Sequence, residues 1–153
     1  MPGSGKSTIS KKLAEYLGLE LFDSDEEIEK KTGKTPKQII EDCGEEKFRK
    51  IETEVLKELS LKRNIVLSTG GGVVTKKENE FLLKTLGSVV LIKRKLKLLD
   101  KTGRPLSSDK NKLKALYKNR KKAYKQFSDY TIKNNKDINK TLKRILKNED
   151  FSS

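Results

Sequence analysis

The chain has 153 residues, 33% hydrophobic and 38% charged, and 36 Lys and Arg against 22 Asp and Glu leave a net charge of +14. That length suits one domain with a single sizeable core, residues 1–153 together. One cysteine, Cys43, excludes an internal disulfide framework, and the lack of histidine removes the commonest metal ligand and general base, so proton transfer falls to a carboxylate. The charge suits an anionic partner such as ATP, an acidic metabolite or nucleic acid. The lysines are spread along the chain with few aromatics between them to stack on bases, so solvated helix faces account for the charge and no nucleic-acid partner is expected. No signal peptide or membrane-spanning apolar run is present, from which a cytoplasmic protein with no membrane partner is expected; a monomer is expected as well.

In chain order, Met1-Pro2-Gly3-Ser4-Gly5-Lys6-Ser7-Thr8 matches the phosphate-binding pattern G-x-x-x-x-G-K-[ST] from its second position; the first glycine would precede Met1. In such a loop the backbone N–H groups cradle phosphate oxygens, here from Gly3 to Thr8. Lys6 reaches the β and γ phosphates and the Ser7 hydroxyl ligates Mg2+. Ile9, Leu13 and Leu17 recur at helical spacing up to a stop at Gly18, so the loop opens onto a helix N-terminus whose dipole favours anions.

A short apolar strand over 19–22 ends in Asp23-Ser24-Asp25, just beyond a strand's C-terminal end, where α/β sheets bind ligands. Two residues apart on an extended segment, the two carboxylates would face the same way. Residues 26–63 read as two or three helices, a small helical region suited to a second substrate. Within it Thr35-Pro36-Lys37-Gln38 is a capping box with proline at the first helical position, and Gly44 is a stop. Cys43 reads there as a small core filler. The next helix carries Phe48, Ile51, Val55, Leu56 and Leu59 on one face, with Arg49 at its flank.

A buried strand over 65–68 breaks into Thr69-Gly70-Gly71-Gly72. Thr75 with Glu78 suggests a capping box for a helix through Phe81 and Leu82 that Gly87 ends. A strand over 89–92, a polar lid over 101–112 containing Gly103-Arg104-Pro105-Leu106, a strand over 130–133 and a helix with Ile138, Leu142, Ile145 and Leu146 complete the chain. The alternation predicts an α/β fold, a parallel sheet covered by helices on both faces.

Taken in order, Gly3-Ser4-Gly5-Lys6-Ser7-Thr8, Phe22-Asp23-Ser24-Asp25, the Gly44-Glu45-Glu46-Lys47-Phe48-Arg49-Lys50-Ile51-Glu52 stretch, Thr69-Gly70-Gly71-Gly72, and Arg104-Pro105-Leu106 followed by Arg120 resemble the shikimate kinase family. The resemblance implies transfer of the ATP γ-phosphoryl group to the 3-hydroxyl of shikimate, a step in aromatic amino acid biosynthesis. It implies that Lys6 and Arg104 neutralise the transferring phosphoryl group. Asp23 joins Ser7 on the magnesium side, usually acting through water, and Asp25 binds the accepting hydroxyl and orients or deprotonates it. Arg49 and Arg120 grip the substrate carboxylate as planar forks, with Gly71 against the substrate. Taken without the resemblance, Asp25 could instead cap the next helix. The chain departs from the family pattern at Arg120-Lys121-Lys122-Ala123-Tyr124, where R-x-x-L-Y is usual, and in a short lysine-rich approach to the lid.

Other readings are a different phosphate-loop kinase, gluconate-kinase-like or adenylate-kinase-like, and an inactive basic nucleic-acid-binding remnant, which would bind DNA or RNA in a strongly salt-dependent way without ATP turnover. The family strand order is 2-3-1-4-5, and the strand that should lead into the phosphate loop is missing from this sequence. Its burial is worth roughly 10 kcal/mol, comparable with the ~5–15 kcal/mol total of a domain. The native protein is therefore expected to begin about ten residues earlier, a strand length, and a kinase-like chain without activity is a further reading.

Overall fold

The computed structural model describes residues 4–94, 110–135 and 137–148. Helix α1 (Lys6–Leu17) leads to strand β1 (Glu20–Asp23), then to α2 (Ser24–Thr32), α3 (Pro36–Leu59) and β2 (Ile65–Ser68). After a short 3-10 turn at Val73–Thr75 come α4 (Glu78–Leu86), β3 (Val90–Lys93), α5 (Lys110–Phe127), β4 (Tyr130–Lys133) and α6 (Ile138–Asn148). Among these residues no helix is long and apolar enough to cross a membrane.

The strands pair in parallel, β1 with β2 from Glu20 opposite Ile65 to Asp23 opposite Ser68, and β3 with β4 from Val90 opposite Tyr130 to Lys93 opposite Lys133. These are the pairings that the order 2-3-1-4-5 places on either side of position 1. The described residues form two separate two-stranded sheets, and between them lies a cavity of about 430 Å³ lined by Ile9, Leu13, Ile65, Leu67, Val90 and Ile92 among others. Apolar clusters sit on both sides. Phe22, Ile28, Ile39, Phe48, Val55 and Leu59 pack under the first sheet, while Ile9, Ile92, Ile132 and Ile145 join α1 and α6 to the second.

Local chemistry accounts for most element boundaries. Gly18 ends α1 in the left-handed conformation that glycine adopts without cost. Thr35 and Gln38 form the expected capping box, with Pro36 at the first helical position. The capping box expected from Thr75 and Glu78 does not form. The Thr75 hydroxyl donates to the Gly72 carbonyl at 2.7 Å, closing the 3-10 turn, and α4 starts after Lys77 with no side-chain cap. Cys43 is exposed rather than a core filler, because the helix face that carries Ile39 runs out of core one turn later, where the chain bends at Gly44.

Gly44 interrupts α3 with φ 83° and ψ 161°, a conformation open almost only to glycine. The break re-aims the second half of α3 and so sets the direction of Glu45 and Arg49. A Cβ there would meet nothing within 4 Å, so its cost is purely conformational. Gly44→Ala is expected to lower stability by about 1–3 kcal/mol, read as a lower melting temperature; an unchanged midpoint would show that the break is not needed.

Candidate active site

The phosphate loop leads straight into α1. Gly5, at φ +85°, is its N-cap and its carbonyl accepts the Ile9 N–H at 3.0 Å, so Lys6, Ser7 and Thr8 occupy the first helical turn. Ser7 and Thr8 are exposed there, Lys6 is half-buried, and Ser4 is buried. Gly3 and Arg104 lie outside the described residues, as does most of the expected lid; its last residues, 110–112, belong to α5.

Asp23 and Asp25 do not share an extended segment. Asp23 ends β1 and caps α2, one carboxylate oxygen accepting the Asp25 N–H at 2.9 Å, which places Asp25 in the first turn of the helix. The cap is thus Asp23, and Asp25 points toward the glycine run. A Cβ at Gly70 would lie 3.1 Å from Asp25 Oδ1 and 3.4 Å from Glu52 Oε1, so the missing side chain lets two carboxylates approach the backbone turn. Buried Ser24 fixes this junction by accepting the Gly70 N–H at 3.1 Å.

On the other side of the glycines, Arg49 donates to Glu52 Oε2 at 2.7 Å and to Glu45 Oε1 at 3.1 Å, with its guanidinium over the Phe48 ring. A Cβ at Gly72 would collide with this guanidinium. Arg120, from α5, donates to the Gly71 carbonyl at 3.3 Å and comes within 4.0 Å of the same Glu45 oxygen. The buried Tyr124 donates its hydroxyl to the Gly71 carbonyl at 2.7 Å. Arg49 and Arg120, far apart in sequence, therefore converge on one exposed carboxylate beside Gly71. A buried relay supports them: the Thr53 hydroxyl donates to Asn79 Oδ1 at 2.9 Å, and the Asn79 amide donates to the Val73 carbonyl at 2.9 Å.

Burial pushes the Glu52 carboxyl above its ordinary range despite the pull of Arg49, and Asp25 adds to the rise. Burial alone would lower the Arg49 pKa, but Glu52 and Glu45 outweigh it and hold the guanidinium more firmly charged. Burial raises the Tyr124 phenol against the opposing effect of Arg120, so it remains a donor at neutral pH.

Sequence reasoning gave no role to Glu45, Glu52, Ser24 or Tyr124. Glu45 and Glu52 stand four before and three after Arg49, the spacing of ion pairs along one helix face, and Tyr124 stands one turn after Arg120, so those three were within reach of a spacing argument. The Ser24 bond joins residues 46 apart and leaves no local signal.

The oxygen donors that the sequence proposes for a metal, the exposed Ser7 hydroxyl and the half-buried Asp23 carboxylate, are of the hard type Mg2+ takes. Among the described residues no group of three or more Asp, Glu, Cys or His forms a protein cage.

A family model described as "Shikimate kinase" matches residues 2–149. A shikimate kinase of Acinetobacter baumannii is 42% identical over 160 residues, covering 96% of this chain and 89% of that protein. A bifunctional shikimate kinase/3-dehydroquinate synthase of Thermotoga maritima is 43% identical over 131 residues, 83% of this chain but only 27% of that longer protein. The structure of the Acinetobacter baumannii shikimate kinase in complex with shikimate superposes with a TM-score of 0.85 at 40% identity, covering 97% of this chain and 90% of that one.

Proposed function

The chain belongs to the shikimate kinase family, ATP-dependent transferases, and on that premise we propose how its residues divide the phosphorylation of shikimate. The observation that carries the reading is the convergence of Arg49 and Arg120 on the Glu45 carboxylate, with Asp25 across Gly70. Two guanidinium groups beside a glycine turn make a seat for a carboxylate on a small, flat acceptor. Glu45, 59% exposed at its side chain, is free to leave that seat when a substrate carboxylate arrives.

With the carboxylate so held, a ring hydroxyl reaches Asp25. Its oxygen attacks the γ-phosphorus, Asp25 takes the hydroxyl proton, and the bond from γ-phosphorus to the bridging β-oxygen breaks, releasing ADP. Lys6 and the N–H groups of the loop hold the phosphates and absorb developing negative charge. The Arg104 motif adds a second cation over the phosphoryl group. Ser7, directly, and Asp23, through its remaining coordination capacity, would hold Mg2+, which supplies charge neutralisation at the phosphates when bound.

A coupled assay of ADP formation with shikimate, gluconate and AMP as acceptors tests the reading. Turnover that depends on shikimate and not on the others is expected; preference for gluconate or AMP would overturn it. Arg49→Lys keeps a charge against Glu52 and loses the planar fork. It is expected to raise KM for shikimate by roughly tenfold, the scale of one charge-assisted hydrogen bond, with KM for ATP within about twofold. A rise in KM for ATP alone would contradict the assignment.

A further inference from the structure

A buried amide behind the phosphate loop has no part in the mechanism above. Asn134 follows the last residue of β4, and its own N–H donates to the Lys93 carbonyl at 2.7 Å, extending the pairing of β3 and β4 by one step. Its position is thus set by the sheet. The side chain, 5% exposed, donates from Nδ2 to the Ser4 carbonyl at 2.8 Å, across 130 residues of sequence. On its other side the Thr141 hydroxyl of α6, itself buried, lies 3.1 Å from Oδ1 and 2.9 Å from the Asp137 carbonyl, so its one proton is shared between these two acceptors.

These partners fix which way the amide faces. A flipped amide would set Oδ1 against the Ser4 carbonyl, two acceptors at hydrogen-bond distance with no proton between them. The arrangement also explains Gly5 beyond its φ of +85°, because a Cβ there would lie 2.6 Å from Asn134 Nδ2. The asparagine amide occupies the space that any side chain at position 5 would need.

The Ser4 carbonyl belongs to the same peptide unit as the Gly5 N–H, and the chain has no cis peptide bond among its described residues. In a planar trans unit the C=O and N–H point in opposite directions. Holding the carbonyl on Asn134 therefore turns the Gly5 N–H to the side away from it. We propose that Asn134, locked by Thr141, is a positioning residue that pre-sets the Ser4–Gly5 peptide so that the Gly5 N–H faces the ATP phosphates. Without it the peptide is free to rotate, and a carbonyl oxygen turned into the cradle would repel them.

The proposal rests on the kinase reading, and the test separates the two. Asn134→Asp is nearly isosteric but presents an oxygen to the Ser4 carbonyl. Calorimetric titration with ATP and with shikimate, on the parent and the variant, is run at about pH 8 and about pH 5, on either side of a moderately raised carboxyl pKa. The variant is expected to lose roughly tenfold in ATP affinity at the higher pH, the effect of removing one buried hydrogen-bond partner. It should recover relative to the parent at the lower pH, where the new carboxyl carries a proton and can donate. Shikimate affinity should stay within about twofold, a split that general loosening of the fold would not produce. ATP affinity equal to the parent's at both pH values overturns the proposal, as does a parallel loss for both ligands. Should the variant not fold, Thr141→Val removes the hydroxyl that faces Oδ1, together with its bond to the Asp137 carbonyl at the start of α6, and is expected to weaken ATP binding by a few-fold with shikimate unchanged; no such loss overturns the proposal too. A parent chain that binds no ATP overturns the kinase reading and this inference together, whereas a parent that binds ATP no better than Asn134→Asp overturns this inference alone.

Discussion

Asp25→Asn is expected to lower kcat with shikimate by about 100- to 10,000-fold, the usual contribution of a general base, while the affinity for ATP stays near the parent's. The substitution is a narrow one. Asparagine keeps the volume of the side chain and can still bond to the accepting hydroxyl, and the backbone N–H of residue 25 still donates to Asp23 at the start of α2. What disappears is a proton acceptor, and a chain without histidine has no imidazole to replace it. The other nearby carboxylate, Glu52, is tied to Arg49 through one oxygen. Its second oxygen faces Gly70 beside Asp25, so a small residual rate that reports a different pKa would point to Glu52 as a weak substitute. Steady-state assays under saturating ATP and shikimate measure the effect. A kcat within threefold of the parent's, or a loss confined to KM for ATP, would sink the role given to Asp25.

How much of this site can be read from the sequence depends on the range over which each interaction acts. The loop-to-helix junction at Gly5 and Lys6, the capping box at Thr35 and the break at Gly44 are settled by neighbours within four residues, and all three stand as expected. Asp23 and Thr75 show where that reasoning stops. Both lie where two local hydrogen-bonding solutions compete, strand continuation against helix cap for Asp23 and helix cap against 3-10 closure for Thr75; the outcome turned on where the glycine run packs. Arg49 and Arg120 were found through motif order, since nothing local distinguishes them from the many cations on solvated faces. The contribution of Asn134 was invisible in the sequence, because an amide matters there only through the Ser4 carbonyl and the Thr141 hydroxyl it meets in the folded chain.

Glu52→Ala is expected to cost about 3 kcal/mol of stability, the lower end of what removing one partner of a buried ion pair does. Glu52 is 1% exposed, and its loss leaves the Arg49 guanidinium, 11% exposed at the side chain, with only the exposed Glu45 for company. Against a total of ~5–15 kcal/mol for a domain this is a large share, and urea unfolding should show it as a clear fall in midpoint. Glu52→Gln separates charge from volume, because the amide oxygen can still accept from Arg49. The pH dependence tells the two apart. Burial raises the Glu52 pKa above its ordinary 4.5, so the native state holds this proton to higher pH than the unfolded chain does. The linked stabilisation is complete below the unfolded value and is lost as pH rises through the folded one. Relative to the parent, Glu52→Gln should therefore show a flatter stability profile across weakly acidic pH, since it has no proton to lose there. An alanine variant that unfolds at the parent's midpoint would mean that Arg49 finds another counter-charge. A glutamine variant with the parent's pH profile would mean that the titrating group lies elsewhere. If both variants behave as expected, the same pair whose loss weakens the fold also holds the Arg49 fork toward Gly72, and acceptor KM should rise in step with the loss of order at that guanidinium.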